Sequence, residues 1–325
     1  MQKLKENAKK YVSYVGTLLM ILSLVFIAQR LMADGGDDVR NLVEYLTSPW
    51  VIAGLFGVAM LEGTGILLAG FNFRAIIRNV SGIVVKRPLA LAVYTESNVY
   101  KYIPGGVMYV AGRNRLAVEI AELSHGKVAL ATVLEGVGMV IGVIVVTVIF
   151  AFDYAVTYIS DMAILPTIIL IAGVVVIIAA LVLYRLRHRI GGVLKNLTSN
   201  METINWLVIA KRIGFSIFLM FSYSATFLLT LTLLGQELDF QLGFAIIGLY
   251  LLAWLAGFIT PGAPSGLGVR EVVMYMFLSD FVSIDILMAA MVMHRVLTVV
   301  GDVTSYIFAK FLAKASHNKH KIPTA

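Results

Sequence analysis

Lys101-Tyr102-Ile103-Pro104-Gly105-Gly106, running on to Gly112-Arg113, and Thr260-Pro261-Gly262, running on to Gly266-Leu267-Gly268-Val269-Arg270-Glu271, are the two stretches that decide the fold. Each places a Pro-Gly pair inside an otherwise membrane-grade apolar region, and each carries an arginine nine residues after its proline. The two prolines lie 157 residues apart. Backbone freed at a break is tolerated in a membrane only where it lines a cavity or is buried in protein. Matched breaks in two halves of a chain therefore point to a transport site.

The surrounding composition sets the class. Apolar residues make up 59% of the chain and charged residues 14%, with no cysteine, and the mean hydropathy is +0.89. Disulfide and thiolate chemistry are excluded. Apolar runs long enough to cross ~30 Å of hydrocarbon as a helix occur at Val12 to Leu31, Trp50 to Phe71, Val128 to Phe152, Ala163 to Tyr184, Ile213 to Leu234 and Ile284 to Phe308. The first has Lys residues before it, like a signal peptide, but its apolar stretch is too long for an ordinary h-region, so it is expected to be a retained helix. The two broken segments run from Pro88 to Leu123 and from Phe240 to Asp280.

Charge then orients the spans. Of the 26 basic residues, 21 fall in five regions: Lys3 to Lys10, Arg74 to Arg87, Arg113 to Lys127, Arg185 to Arg212 and Lys310 to Lys321. The intervening loops carry Asp34, Asp37, Asp38, Asp153, Asp161, Glu237 and Asp239 instead. The positive-inside rule places both termini and the basic loop 185–212 in the cytoplasm, and it accounts for the net charge of +7 without nucleic acid. The first broken segment is flanked by basic loops on both sides and the second by acidic ones, so they are expected to be re-entrant hairpins of opposite sense. Sliding the chain by 159 residues lays Glu135 on His294, Val137 on Val296 and Gly142 on Gly301. The expected fold is a single all-α polytopic membrane domain over residues 1–325, with six full spans and two broken, re-entrant hairpins. Its halves, near residues 50–152 and 207–310, form an inverted-topology internal repeat.

Several charges interrupt the apolar segments. Glu62, Glu135, Arg295 and Asp302 lie within spans, and Lys101, Arg270 and Glu271 lie beside the breaks. A charge at the centre of a membrane helix costs ~2.5–3.5 kcal/mol on insertion scales, so such residues face the bundle interior and pair. Arg295 and Asp302 are seven apart and share a helix face. Glu135 shares a face with Gly138 and Gly142, which allow close backbone approach. Two readings are open. In one, these groups line a polar cavity where Arg270 and Arg295 receive an anionic headgroup, with Glu271, Glu135 and Asp302 holding those charges in orientation. In the other they form internal ion pairs, such as Glu135 with Arg295 or Glu271 with an arginine, or Lys101 snorkels to water. Pro104-Gly105 and Pro261-Gly262 shape the breaks, and Gly266 and Gly268 suit tight backbone at a hairpin tip. A half-helix opening near Gly268 would turn its free N–H groups toward a phosphate, which an adjacent arginine also binds.

Other chemistry is not signalled. The sequence has no phosphate-binding P-loop, no H-E-x-x-H and no metal cluster, and no cofactor is expected. His294 reads as a buried, hydrogen-bonded histidine.

The two stretches are similar to the motifs of the flippase-like integral membrane family related to the transmembrane domain of lysylphosphatidylglycerol synthases. Lys101 to Gly106 with Gly112-Arg113 resembles the first motif, and Pro261-Gly262 through Glu271 resembles the second, a Pro-Gly-Gly-x-Gly-x-Arg-Glu pattern. Here Ala263-Pro264-Ser265 stands as an insertion within it. The likeness extends in length and span order over nearly the whole chain. In the synthases a soluble aminoacyl-transferase domain follows; the resemblance implies the translocation part without it. The expectation is a non-enzymatic protein of the plasma (cytoplasmic) membrane that flips a lipid with an anionic or modified phosphate headgroup. Two other readings stand: a scaffold that docks a separate lipid-modifying or glycosyl-transferring enzyme through 185–212, and a small-anion transporter in which Glu135 or Asp302 couples to protons.

Overall fold

The computed structural model describes residues 47–102, 108–121, 123–154, 204–260 and 264–319, and every regular element among them is helical. In chain order these are α1 (Pro49–Ser81), α2 (Arg87–Val99), a 3-10 turn (Tyr100–Tyr102), α3 (Met108–Ala121) and α4 (His125–Phe150). Then come α5 (Trp206–Leu233), α6 (Phe240–Ile259), a second 3-10 turn (Pro264–Gly266), α7 (Val269–Leu278) and α8 (Ile284–Lys319). The expected spans Val12–Leu31 and Ala163–Tyr184 lie outside the described residues. So do Pro104, Gly105, Gly106, Pro261 and Gly262, and most of the basic loop.

Local chemistry sets the helix ends. α1 and α2 each start with a proline in the first turn, where a missing N–H costs nothing. α1 stops at Gly82, whose φ of 73° lets its N–H return to the Arg78 carbonyl. Asn205 and Asp239 cap α5 and α6 by accepting the N–H groups of Val208 and Leu242.

Among the described residues α1, α4, α5, α6 and α8 are long and apolar enough to cross a membrane. Four of them are the expected spans beginning at Trp50, Val128, Ile213 and Ile284. The fifth revises an expectation. With 13 and 14 residues, α2 and α3 each reach only about 20 Å and suit a re-entrant hairpin. α6 has 20 residues and spans about 30 Å, so the first limb of the second broken segment is itself as long as a span. Its apolar run continues unbroken from Phe240 to Ile259.

Long helices pack in pairs: α1 on α8, α4 on α5, and α1 on α5 at the centre. α2 lies against α8 and α6 against α4, and the two 3-10 turns touch. Glycines set the tightest crossings. A Cβ on Gly301 of α8 would stand 2.9 Å from the Gly63 nitrogen and 3.0 Å from the Ala59 oxygen of α1. A Cβ on Gly142 of α4 would stand 3.1 Å from the Ser216 oxygen of α5. These small residues bring backbones together where lipid supplies no hydrophobic drive between helices. Phe227, Leu231, Ile246, Tyr250, Leu278 and Leu287 form the larger buried cluster. Trp50, Phe56, Ile149, Phe218 and Phe311 point outward, as a lipid-facing surface requires.

Candidate functional site

Both broken segments end at one cavity of about 750 Å³, to which α1, α4, α5 and α8 also contribute. Lys101, Arg113, Glu135, Gly266, Arg270 and Asp302 line it, together with Glu62. Thus six of the expected site residues, scattered over some 200 positions of the chain, converge. Leu61, Phe218, Leu229 and Phe258 also border the cavity, and all four are exposed on the helix exteriors. A cluster of charged groups thus sits in a largely apolar cavity whose rim continues onto the lipid-facing surface.

α8 grips both hairpins. Asp302, 1% exposed, takes Lys101 Nζ at 2.7 Å on Oδ2, where the Tyr102 hydroxyl also donates, and Asn98 Nδ2 at 2.7 Å on Oδ1. The whole turn at Tyr100–Tyr102 is thus fastened to one carboxylate. Two helical turns earlier on α8, Arg295 donates to the Ser265 carbonyl at 3.1 Å, fastening the second turn. Lys101, its side chain 28% exposed, closes an ion pair with Asp302, so Asp302 orients Lys101 in place of the expected Arg270 or Arg295. Arg295 holds the backbone of the second turn, and the described residues lining the cavity do not include it. Sharing a helix face, as Arg295 and Asp302 do, placed each beside a different hairpin instead of beside each other.

The two motif arginines differ sharply. Arg113, only 2% exposed, pairs with Glu135, its Nε donates to Ser97 Oγ at 3.1 Å, and it stacks 4.2 Å above the Tyr94 ring. The expected Glu135–Arg295 pair is replaced by Glu135–Arg113, because α3 lies against α4. Arg270 likewise stacks on a tyrosine of the preceding helix, 4.4 Å from the Tyr250 ring centre, and its Nη1 donates to the Tyr223 hydroxyl at 3.0 Å. Among the described residues, however, no carboxylate lies within ion-pair distance of it. Glu271 is turned away: it accepts the Gly268 N–H at 2.6 Å and closes the start of α7. It is a helix cap, not an arginine partner.

The second turn needs its glycines. Gly266 and Gly268 hold φ of 71° and 91°, with Ser265 at 52°, all in the region that favours glycine. Gly266 also packs so tightly on Gly257 of α6 that a Cβ would meet that Cα at 2.9 Å.

Glu62 and His294 form a buried neighbourhood at the cavity's edge, with His294 Nε2 3.7 Å from Glu62 Oε1 and 2.8 Å from the Tyr250 hydroxyl. His294 is buried and hydrogen-bonded, as its sequence context implies. Sequence reasoning passed over Asn98, Tyr102, Tyr223, Tyr250 and Ser265. Asn98 and Tyr102 flank Lys101 beside the break, and that local density of polar groups was an available signal. Tyr250 lies in a featureless apolar run and offered none.

Apolar helices long enough to span, packed around a cavity that holds a cluster of charged side chains from two broken segments, define a polytopic all-α membrane protein. Over residues 14–304 the chain matches the lysylphosphatidylglycerol synthase transmembrane region, and it belongs to that family. No curated protein matches it.

Proposed function

We propose that this protein translocates a lipid bearing an anionic or modified phosphate headgroup between leaflets of the plasma (cytoplasmic) membrane, with both termini cytoplasmic and no covalent chemistry on the lipid. One observation carries the reading. Arg113 and Arg270 occupy equivalent places in the two motifs, each on a tyrosine, but Arg113 is closed by Glu135 whereas Arg270 faces the cavity with no carboxylate at ion-pair distance among the described residues. At the 159-residue offset, His294 stands where the first half has Glu135. The first arginine completes the fold; the second is left for an anion. Its planar donors suit a phosphate held in two-pronged fashion.

We read the two halves as an inverted repeat, and that arrangement supports the translocation reading. Each half runs long helix, hairpin limb, 3-10 turn, hairpin limb, long helix. The contacts exchange in pairs: α1 with α8 as α5 with α4, and α2 with α8 as α6 with α4. Even the glycine crossings correspond, with Gly301 against the Ala59 carbonyl and Gly142 against the Ser216 carbonyl. In transporters built on such a pseudo-two-fold the substrate site lies at the repeat interface, which here is where the two hairpins meet. The headgroup would travel past the charged groups of the cavity while the acyl chains stay outside the rim of Leu61, Phe218, Leu229 and Phe258. This division lowers the cost of carrying a phosphate through hydrocarbon.

The test is leaflet exchange of headgroup-labelled phosphatidylglycerol in proteoliposomes, wild type beside Arg270→Ala and Arg270→Lys. Exchange by wild type, its loss in Arg270→Ala and partial recovery in Arg270→Lys are expected. Undiminished exchange by a folded Arg270→Ala protein would remove the headgroup site.

A further inference from the structure

Glu62 on α1 and His294 on α8 are buried titratable groups that the reading above does not use. Their hydrogen bonds can be assigned by elimination. Thr230 Oγ1 donates its one hydrogen to the Thr226 carbonyl at 2.8 Å, so toward His294 Nδ1, 3.3 Å away, it can only accept. Nδ1 therefore carries the ring hydrogen. In the neutral ring Nε2 is then an acceptor, and the Tyr250 hydroxyl at 2.8 Å supplies its donor. Glu62 Oε1 meets Thr226 Oγ1, whose other neighbour is the Tyr223 carbonyl.

One hydroxyl hydrogen with two neighbours gives two arrangements. When Glu62 is ionised, Thr226 donates to the carboxylate. When Glu62 is protonated, the acid donates to Thr226, and Thr226 turns its hydrogen to Tyr223, a mid-helix carbonyl that the α-helical ladder already serves. Neither arrangement leaves a buried polar group without a partner, the condition that normally makes a buried protonation change costly. Glu135 and Asp302 lack this freedom, since each is held by a cation.

We propose that Glu62, with His294 beside it, is a proton-binding site coupled to the phosphate site at Arg270, so that the protein takes up a proton as an anionic group seats there. The coupling rests on the headgroup reading of Arg270. Two tyrosines connect the sites. Tyr250 lies under the Arg270 guanidinium with its ring and meets His294 with its hydroxyl. Tyr223 accepts from Arg270 with its hydroxyl and from Thr226 with its carbonyl.

The charges around the pair make the sign definite. Lys101 from the first hairpin, Arg270 from α7 and Asp302 from α8 act on Glu62, and Arg270 and Arg295 act on His294. Asp302 offsets part of the influence of Lys101, Glu135 of α4 is paired with Arg113, and Tyr250 of α6 and Tyr223 of α5 are neutral. Lys101 and Arg270 thus both support an ionised Glu62, and the share of Arg270 is the one a bound anion reaches. A phosphate at Arg270 cancels that support, and a proton drawn from cavity water forms the O–H bond on Glu62. On release of the anion the proton returns to water, and no other bond is made or broken. By reciprocity, protonating the site tightens anion binding.

The experiment uses the full chain in nanodiscs, with short-chain phosphatidylglycerol and, separately, inorganic phosphate as probes. Binding is followed by calorimetry in buffers of different ionisation heat, which counts protons. Wild type is expected to take up one proton per bound probe, with affinity falling by about tenfold per pH unit where the site titrates. Uptake with the lipid alone marks a headgroup site, and uptake with both marks a general phosphate site; either supports the proposal. Glu62→Gln is expected to bind without proton uptake and without the pH slope. Binding by wild type with no proton taken up overturns the proposal, as does an unchanged slope in Glu62→Gln; if that variant does not fold, the wild-type proton count decides alone. Failure of the headgroup reading looks different: wild type and Arg270→Ala then bind both probes equally weakly. In that event the infrared carboxyl band of the ligand-free protein is decisive. A band that titrates and is assigned by glutamate isotope labelling to the Glu62 site keeps the proton site, and its absence overturns it.

Discussion

Replacing Glu135 by methionine tests the claim that the first motif arginine serves the fold. The substitution leaves a guanidinium at 2% exposure with Ser97 Oγ at 3.1 Å and the Tyr94 and Phe73 rings at 4.2 and 4.9 Å. Breaking a buried pair from one side costs about 3–5 kcal/mol, and a desolvated cation–π contact returns only ~2 kcal/mol, which was present beforehand. Arg113→Met is the milder change, because the abandoned carboxyl can take a proton while a guanidinium cannot shed one. Arg113→Met with Glu135→Met removes both charges at similar volume, so its cost falls well below the sum of the singles, with a coupling at the upper end of ~0.5–3 kcal/mol. Unfolding in mixed micelles followed by helical circular dichroism measures all three, and leaflet exchange is then measured on the double variant, which is expected to retain it. The reasoning is refuted if Glu135→Met costs under about 1 kcal/mol, as for an exposed pair, or if the singles add. A folded double variant without exchange would equally refute it, by showing that Arg113 has a transport role.

Three further outcomes follow from the same contacts. Gly301→Ala drives a methyl to 2.9 Å from the Gly63 nitrogen and should cost about 1–3 kcal/mol, as overpacking does, in the same unfolding assay. Asp302→Asn loses the charge that holds Lys101 at 2.7 Å; a charged hydrogen bond is worth ~1.5–3 kcal/mol, so the first hairpin should open about tenfold or more often. With no native cysteine, maleimide labelling of a cysteine placed at Ser97 reads that opening directly, and an unchanged rate in Asp302→Asn would contradict the clamp. Glu271→Ala removes the acceptor at 2.6 Å from the Gly268 N–H and should lower stability by about 0.5–2 kcal/mol, whereas Glu271→Gln, which keeps an acceptor, should stay near wild type. Equal losses in the two would argue for a charge role instead of a cap.

The membrane class, the broken segments and the interrupting charges were legible in the sequence because each depends on local properties. Apolar length against hydrocarbon thickness marks Trp50, Val128, Ile213 and Ile284 as span starts, and positive φ at Gly266 and Gly268 follows from residue type beside a break. Partner choice was not legible. Arg113 meets Glu135 across 22 positions, Asn98 meets Asp302 across 204 and Thr226 meets Glu62 across 164. A helical repeat tells which face of α8 is polar, but both Arg295 and Asp302 lie on that face, and only the crossing of α8 with α1 at Gly301 decides that Asp302 reaches the first hairpin and Arg295 the second. The difference between Arg113 and Arg270, identical in motif position, likewise arises from what the following helix carries, a glutamate in one half and a histidine in the other. Residue order sets an arginine nine residues after each Pro-Gly break; tertiary packing decides that Arg113 is paired with Glu135 while Arg270 has no carboxylate at ion-pair distance among the described residues.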